Sequence, residues 1–391
     1  MAGVIDWLRG RSEERALTRD NVSAVPAVML GGSTVAGVAV NERTALGLAD
    51  VFACVRAIAE AAATLPLIAY RRLPTGRERL PGGRLVSLLD RPAPAVTQSA
   101  FIGQLVASLA MRGNGFVGLY AGEEGQVEQL GVLPPDRVQV EIKGGMPLYT
   151  LTHDNGRQTT HGTDDVLHVR MPLTLDGILG ASPIALQREA LGLNRALGEE
   201  ASALAANSSA PLGVLTVPAG PIEDEALENL RAGIESRHMG ARNRGRVAVL
   251  TGDIKFAPIS FSPHDGQLAE QRELSTAEVA RIFRVPPWMI GAKSGDSLTY
   301  STVEGQSRAF LVYTLQPYLS AVEQAITGHE RLCPPGAYVE FMRAAILQAD
   351  TLTRAQVYAL ALDPERGWMS RAEVRQRENL DPEPEHAMEA A

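Results

Sequence analysis

The residues best equipped for chemistry lie between His153 and His168. His153, His161 and His168 stand there with Asp154, Asp164 and Asp165, the donor types that hold a transition metal. Their spacing matches no standard ligand pattern and they fall at predicted strand edges and turns, so they read as ordinary surface residues. Lys293-Ser294 sits in a glycine-containing loop, but it lacks the glycine directly before the lysine and the upstream glycine of a phosphate-binding loop. The chain has no Gly-x-Ser-x-Gly elbow and no evident Cys/His nucleophile pair. The expectation is a protein that is not an enzyme and uses no metal and no cofactor.

One stretch has the look of a base-reading motif. Thr276 to Ile290 resembles the start of a helix-turn-helix. Its recognition helix would begin near Pro287, contain Gly291 and Gly295 at about 1 kcal/mol each against alanine, and present only Lys293. A core helix ending in a loop fits these residues better, and a DNA-binding regulator using residues 276–290 stands as the alternative.

The helix that carries this stretch organises the chain. Ser262 can cap it, Pro263 suits its first position and Asp265 sits where a capping-box carboxylate reaches back. From Ser262 to Arg284 it would extend roughly 30 Å at about 1.5 Å per residue. Ser275 and Glu278 repeat the box, so a bend or restart is expected there, and Ala277, Ala280 and Phe283 form one apolar stripe. Val285 before Pro286 and Pro287 ends it. A Gly- and Ser-rich loop, Gly291 to Thr299, follows and carries Lys293 and Asp296.

Before that helix, Val51, Val55, Ile58, Ala62 and Leu65 recur at helical spacing until Pro66, and LIAYRR reads as a strand running into a Pro/Gly/Arg-rich loop to Arg84. A second helix carries Phe101, Leu105 and Leu109 and stops at Gly113-Asn114-Gly115. From Phe116 to Arg170 the period is two, which predicts an antiparallel sheet. Ser182-Pro183 opens a helix whose Leu186, Leu193, Leu197 and Leu204 form a stripe that calls for a helical partner, within one subunit or in another. Residues 211–260 make a small unit of strands and a helix with a basic turn, Arg237, Arg242, Arg244 and Arg246. After the loop, a helix with Val303, Phe310, Tyr313 and Leu315 should kink or restart at Pro317. A short strand near Tyr338 to Phe341 and two polar helices, Leu352 to Leu362 and Ser370 to Asn379, complete an α+β chain.

Composition narrows the function. With 391 residues and 45% hydrophobic side chains the chain can bury real cores. A net charge of −8 argues against broad grip on nucleic-acid phosphates. Cys54 and Cys333 are too few for a disulfide framework. The N-terminal stretch lacks a signal-peptide core, and the apolar run Val25 to Val40, broken by Pro26 and three glycines, is too short to span a bilayer. No membrane is expected.

Seven strings in order resemble one family: DVFACVRAIAEAAATLPLIAYRR, RGNGFVGLY, LGVLPPDRVQV, DDVLHVRMPLTLDGILGASPI, GRVAVLTGDIKFAPISFSPHDGQLAEQRELSTAEVARIFRVPPWMIG, LTYSTVEGQSRAFLVYTLQPYL and GWMSRAEVRQRENLDP. The chain is similar to the portal proteins of tailed bacteriophages, in the compact form of long-tailed phages and prophages. The resemblance implies a homo-oligomeric ring, usually of twelve, at one capsid vertex, with an axial channel for non-specific passage of double-stranded DNA. It implies partners too: the terminase large subunit, major capsid and scaffold proteins, and head-completion or adaptor proteins, with assembly in the host bacterial cytoplasm and residence in the virion. It divides the chain into an N-terminal arm (1–44), a strand-rich wing (45–181), stem helix 1 (182–210), an αβ clip (211–261), stem helix 2 (262–285), a tunnel loop (286–300), a tunnel helix with wing completion (301–343) and a helical crown with tail (344–391). Roles follow by the same resemblance. Lys293, Ser294, Asp296, Ser297 and Tyr300 would line the channel, and Arg237, Arg242, Arg244 and Arg246 would meet the terminase. Leu186, Leu193, Leu197, Leu204, Ala277, Ala280 and Phe283 would pack the stem. A channel in which DNA slides should bind phosphate weakly, which suits an acidic chain with sparse basic tips.

Overall fold

A computed structural model describes residues 34–122, 125–175, 177–207, 214–216, 255–257, 264–292, 303–343 and 351–378. The central layer is a pair of helices, α2 (Ala49–Ala63) and α4 (Gln98–Arg112), preceded by the short α1 (Glu42–Leu46), which Asn41 and Thr44 close with a reciprocal capping box. Val51, Cys54, Ile58 and Ala62 of α2 face Phe101, Ile102, Leu105 and Leu109 of α4 in one buried cluster. Thr97 caps α4, accepting from the Ala100 N–H at 3.2 Å, and Gly113 ends it at φ +71°. A Cβ there would also lie 2.3 Å from the Ala181 carbonyl oxygen, so both backbone angle and space require glycine.

Three small antiparallel sheets surround this layer. β1 (Leu67–Arg72) lies between β11 (Ala337–Phe341) and β2 (Arg77–Arg79), so the two predicted strands meet across most of the chain length. β2 and the helix α3 (Arg84–Asp90) stand where an irregular loop was expected. The sheet expected from Phe116 to Arg170 divides in two: β3 (Asn114–Ala121) between β4 (Val127–Leu133) and β8 (Val166–Arg170), and the meander β5 (Val138–Lys143), β6 (Met146–Thr152), β7 (Gln158–His161). Pro134 and Pro135 separate them, because neither can donate to a ladder and the chain makes a 3-10 turn there instead. Phe116, Leu133, Val140, Tyr149 and Val166 form the small core between the two sheets.

Ser182 caps α5 (Pro183–Leu186), its Oγ accepting from the Ala185 N–H. The chain breaks at Gln187 and resumes as α6 (Arg188–Asn207), against which α7 (His264–Ile282) packs. α7 runs through Ser275 as one continuous helix, without the restart that was one of the two expectations there. Ser275 is buried and its Oγ accepts from Asn194 Nδ2 at 2.8 Å, so its hydroxyl serves a neighbouring helix rather than a cap. Ala280 and Phe283 are buried as the stripe predicted, with Ala277 half-buried. β9 (Val214–Thr216) pairs antiparallel with β10 (Lys255–Ala257).

After α8 (Val303–Ala309) the helix widens into a π-turn over Phe310–Leu315 and continues as α9 (Gln316–Thr327). The irregularity expected at Pro317 therefore falls one turn earlier. Pro317 offers no N–H to the carbonyl of Tyr313 and its ring would collide with that carbonyl; the wider turn relieves both. α10 (Thr351–Ala361) and α11 (Arg371–Arg377) follow, the latter opened by a capping box between Ser370 and Glu373.

Candidate functional site

The end of α7 sets the geometry of the loop that follows it. The Arg284 N–H bonds the Arg281 carbonyl at 3.1 Å and the Val285 N–H bonds the Ala280 carbonyl at 2.9 Å, the paired pattern of a Schellman ending. That pattern needs a left-handed residue, and Arg284 takes it at φ +56°, alone among the described non-glycine residues. Pro286 then admits only a 3-10 turn, Pro287–Ile290, before Gly291 turns left-handed at φ +75°. No helix begins at Pro287, so the helix-turn-helix alternative has no recognition helix through Ala292, where this described stretch ends.

Two sets of buried polar contacts hold this ending in place. Thr314, on the π-turn and itself buried, donates its hydroxyl to the Arg284 carbonyl at 2.5 Å. Close by, burial pushes the Tyr318 hydroxyl up to about 12, the Arg284 charge opposing that rise. Further along α7, Asp50 Oδ2 accepts from the Thr276 hydroxyl at 2.9 Å and from Asn194 Nδ2 at 3.4 Å. These contacts join α2, α6 and α7 beside an open cleft of about 570 Å³ that also meets Arg195, Glu199 and Arg272. Burial together with the Asp50 charge raises the Cys54 thiol to about 12, so it stays protonated and unreactive.

A third junction joins β3 to the turn before α5. The Asn114 side-chain amide exchanges two hydrogen bonds with Gly180, one to its carbonyl and one from its N–H, both 2.8 Å. His168 Nε2 donates to the same Asn114 oxygen at 3.0 Å while its ring stacks on Phe116 at 4.5 Å. Desolvation, aided by the Arg170 charge, pushes His168 down to about 3. His168 is thus a neutral packing residue and not the surface residue expected. His161 lies 3.6 Å from Asp165, and His153 bonds Thr159. Among the described residues no group of three His, Cys, Asp or Glu side chains is placed to hold a metal ion.

The Phage portal protein family model matches residues 49–379. The chain belongs to the phage portal protein family. It is 29% identical to the probable portal protein of Streptomyces phage phiC31, over 91% of this chain and 79% of that one. It is 25% identical to the portal protein of Enterobacteria phage HK97, over 88% and 81%. Among solved structures it is similar, with a TM-score of 0.61 and 27% identity, to a chain in the neck of a native GTA particle computed with C12 symmetry, covering 85% of this chain and 91% of that one.

In this portal protein the sequence-predicted residues fall into three groups. Leu197, Ala280 and Phe283 are buried within the chain, with Ala277 partly so. Leu186 and Leu193 are 45% and 51% exposed, and Leu274 on α7, which was not singled out, is 66% exposed. Lys293, Ser294, Asp296, Ser297 and Tyr300, with Arg237, Arg242, Arg244 and Arg246, lie outside the described residues, as does the side chain of Leu204. Asp50, Asn194, Arg284 and Thr314 were not predicted to matter. Their partners are 30 to 226 residues away in the chain, and no local pattern marks such pairs. No described helix is long and apolar enough to cross a membrane.

Proposed function

We propose that this portal protein closes into a ring of copies of itself, twelve as in the C12 neck to which it is similar, at one vertex of a capsid. Double-stranded DNA passes through the axis of that ring during packaging and ejection. The observation that carries the reading is the family match over residues 49–379. A physical feature supports it: Leu186 at the end of α5, Leu193 on α6 and Leu274 on α7 stay about half or more exposed in the single chain, and exposed apolar residues of this kind are suited to a heterologous interface that closes on itself.

Within that ring residues 182–210 and 262–285 form the stem, and residues 286–300 the tunnel loop, with Lys293, Ser294, Asp296, Ser297 and Tyr300 toward the DNA. One lysine per subunit makes a ring of single weak phosphate contacts, which keeps friction low. Arg237, Arg242, Arg244 and Arg246 on the clip meet the terminase large subunit and, later, head-completion or adaptor proteins. The ring also meets major capsid and scaffold proteins. The role is structural rather than catalytic, and assembly takes place in the host cytoplasm before the ring becomes part of the virion.

Native mass spectrometry together with electron-microscope class averages tests the reading. Rings of about twelve copies with a central hole are the expected result. A species that stays monomeric even with scaffold and capsid proteins added would overturn it.

A further inference from the structure

The outward face of the β2–β1–β11 sheet concentrates positive charge on an acidic chain. Register places it there: Tyr70 stands opposite Arg79 on one side and Tyr338 on the other, and Arg72 stands opposite Arg77. Opposed residues share a face. Leu67, Ala69, Val339 and Phe341 occupy the other face and enter the core, so the two tyrosines and three arginines point away from it.

These side chains form a ladder. The Tyr70 and Tyr338 rings stack at 5.7 Å with 26° between their planes. The Arg77 guanidinium lies 4.6 Å from the centre of Tyr70, and that of Arg72 lies 5.3 Å from the centre of Tyr338. Guanidiniums stacked on rings are held in position before any ligand arrives, so less side-chain entropy is lost on binding. Arg77 already pairs with the Glu340 carboxylate. Among the described residues Arg72 and Arg79 form no ion pair, and all three residues of β2, the terminal strand, are exposed.

We propose that this face docks an acidic, carboxylate-rich segment of a partner protein, gripped by Arg72 and Arg79 beside the Arg77–Glu340 pair. The Arg77–Glu340 contact is the same recognition made within the chain, since a guanidinium fork matches a carboxylate. Duplex DNA fits the face poorly. A few guanidiniums interrupted by Glu340, on a chain of net charge −8, cannot neutralise a run of phosphates.

The test is fluorescence anisotropy of a labelled poly-glutamate peptide titrated with the assembled full-length protein, beside a labelled random-sequence DNA duplex. The peptide is expected to bind with an affinity that falls as salt rises. Arg72→Glu with Arg79→Glu should weaken it by about tenfold or more at unchanged assembly mass. Arg79→Glu alone, which removes no ladder contact, should weaken it in the same direction and keeps the test informative if the double variant misfolds. The proposal is overturned by no peptide binding, by equal binding to the charge-reversed chains, or by tighter binding of the duplex than of the peptide. It is also overturned if Arg79→Glu changes the number of copies in the assembly, which would assign the face to contact between subunits.

Discussion

The Thr314 hydroxyl reaches the Arg284 carbonyl at 2.5 Å, and this bond joins the end of α7 to the π-turn before α9. Between its two ends lie the 3-10 turn at Pro287–Ile290 and the segment holding Lys293. The bond closes the base of that segment. It also accounts for a buried hydroxyl on an otherwise apolar surface, since Thr314 is 2% exposed among Phe310, Leu311 and Leu315.

Thr314→Val keeps the shape of the side chain and removes the donor. The Arg284 carbonyl then loses its partner at a cost of about 1–3 kcal/mol. Urea unfolding of the variant should show a lower midpoint at unchanged slope, and Thr314→Ser should recover most of the loss. An unchanged midpoint in Thr314→Val would mean that this hydrogen bond contributes nothing net.

Arg284 sits in the left-handed region at φ +56°, where a Cβ costs about 1 kcal/mol or more. Arg284→Gly should relieve this and raise stability by roughly 0.5–1 kcal/mol relative to Arg284→Ala, which keeps the strain and removes the same charge. Melting curves of the two variants decide it. Equal stability would show that the turn bears no backbone strain.

The elements that sequence chemistry revealed are those with a local cause. Gly113 as a helix stop, Ser182-Pro183 as a helix start and Pro286 as a helix end all act within a few residues of themselves, and all three stand as predicted. β2 was missed because Arg77-Glu78-Arg79 has no apolar alternation and owes its strand to pairing with β1. The π-turn was misplaced because two causes combine: Pro317 is local, but the bond from Thr314 to Arg284 spans thirty residues. Asn114 was legible as a turn residue, but its bonds to Gly180 and His168 depend on where β8 and the turn before α5 come to rest. The candidate site was named mostly through the family resemblance. The positions it named in the tunnel loop and clip lie outside the described residues, and the polar contacts that support the loop base come from distant parts of the chain.

His168 supplies a pH dependence whose sign can be worked out. Its folded value is pushed down to about 3, against about 6.5 in an unfolded chain. The unfolded state therefore binds the extra proton first as pH falls. The contribution of neutral His168 is complete above about 6.5 and declines toward about 3, with a slope of at most about 1.4 kcal/mol per pH unit, less where water reaches the ring. His168→Gln keeps a donor for Asn114 and cannot titrate, so it should flatten the stability profile across this window. Parallel acid profiles for wild type and variant would remove His168 as the cause.

Leu186 and Leu193 separate folding from assembly. Each is about half exposed in the single chain, so replacing both with glutamate breaks little internal packing and should change the stability of the isolated chain by no more than about 0.5 kcal/mol per site. In a closed ring the same side chains would be buried between subunits, and twelvefold repetition of two unpaired carboxylates in an apolar contact is strongly unfavourable. The double variant should therefore melt close to wild type as a monomer and fail to form rings by native mass spectrometry. A normal ring from this variant would mean that these leucines face solvent in the assembly. A monomer that melts far below wild type would instead place them in a core of the chain itself, against the exposure they have here. Leu197, buried at 9%, is the internal control: Leu197→Ala should lower the melting temperature of the monomer, because the lost contacts are made within one subunit.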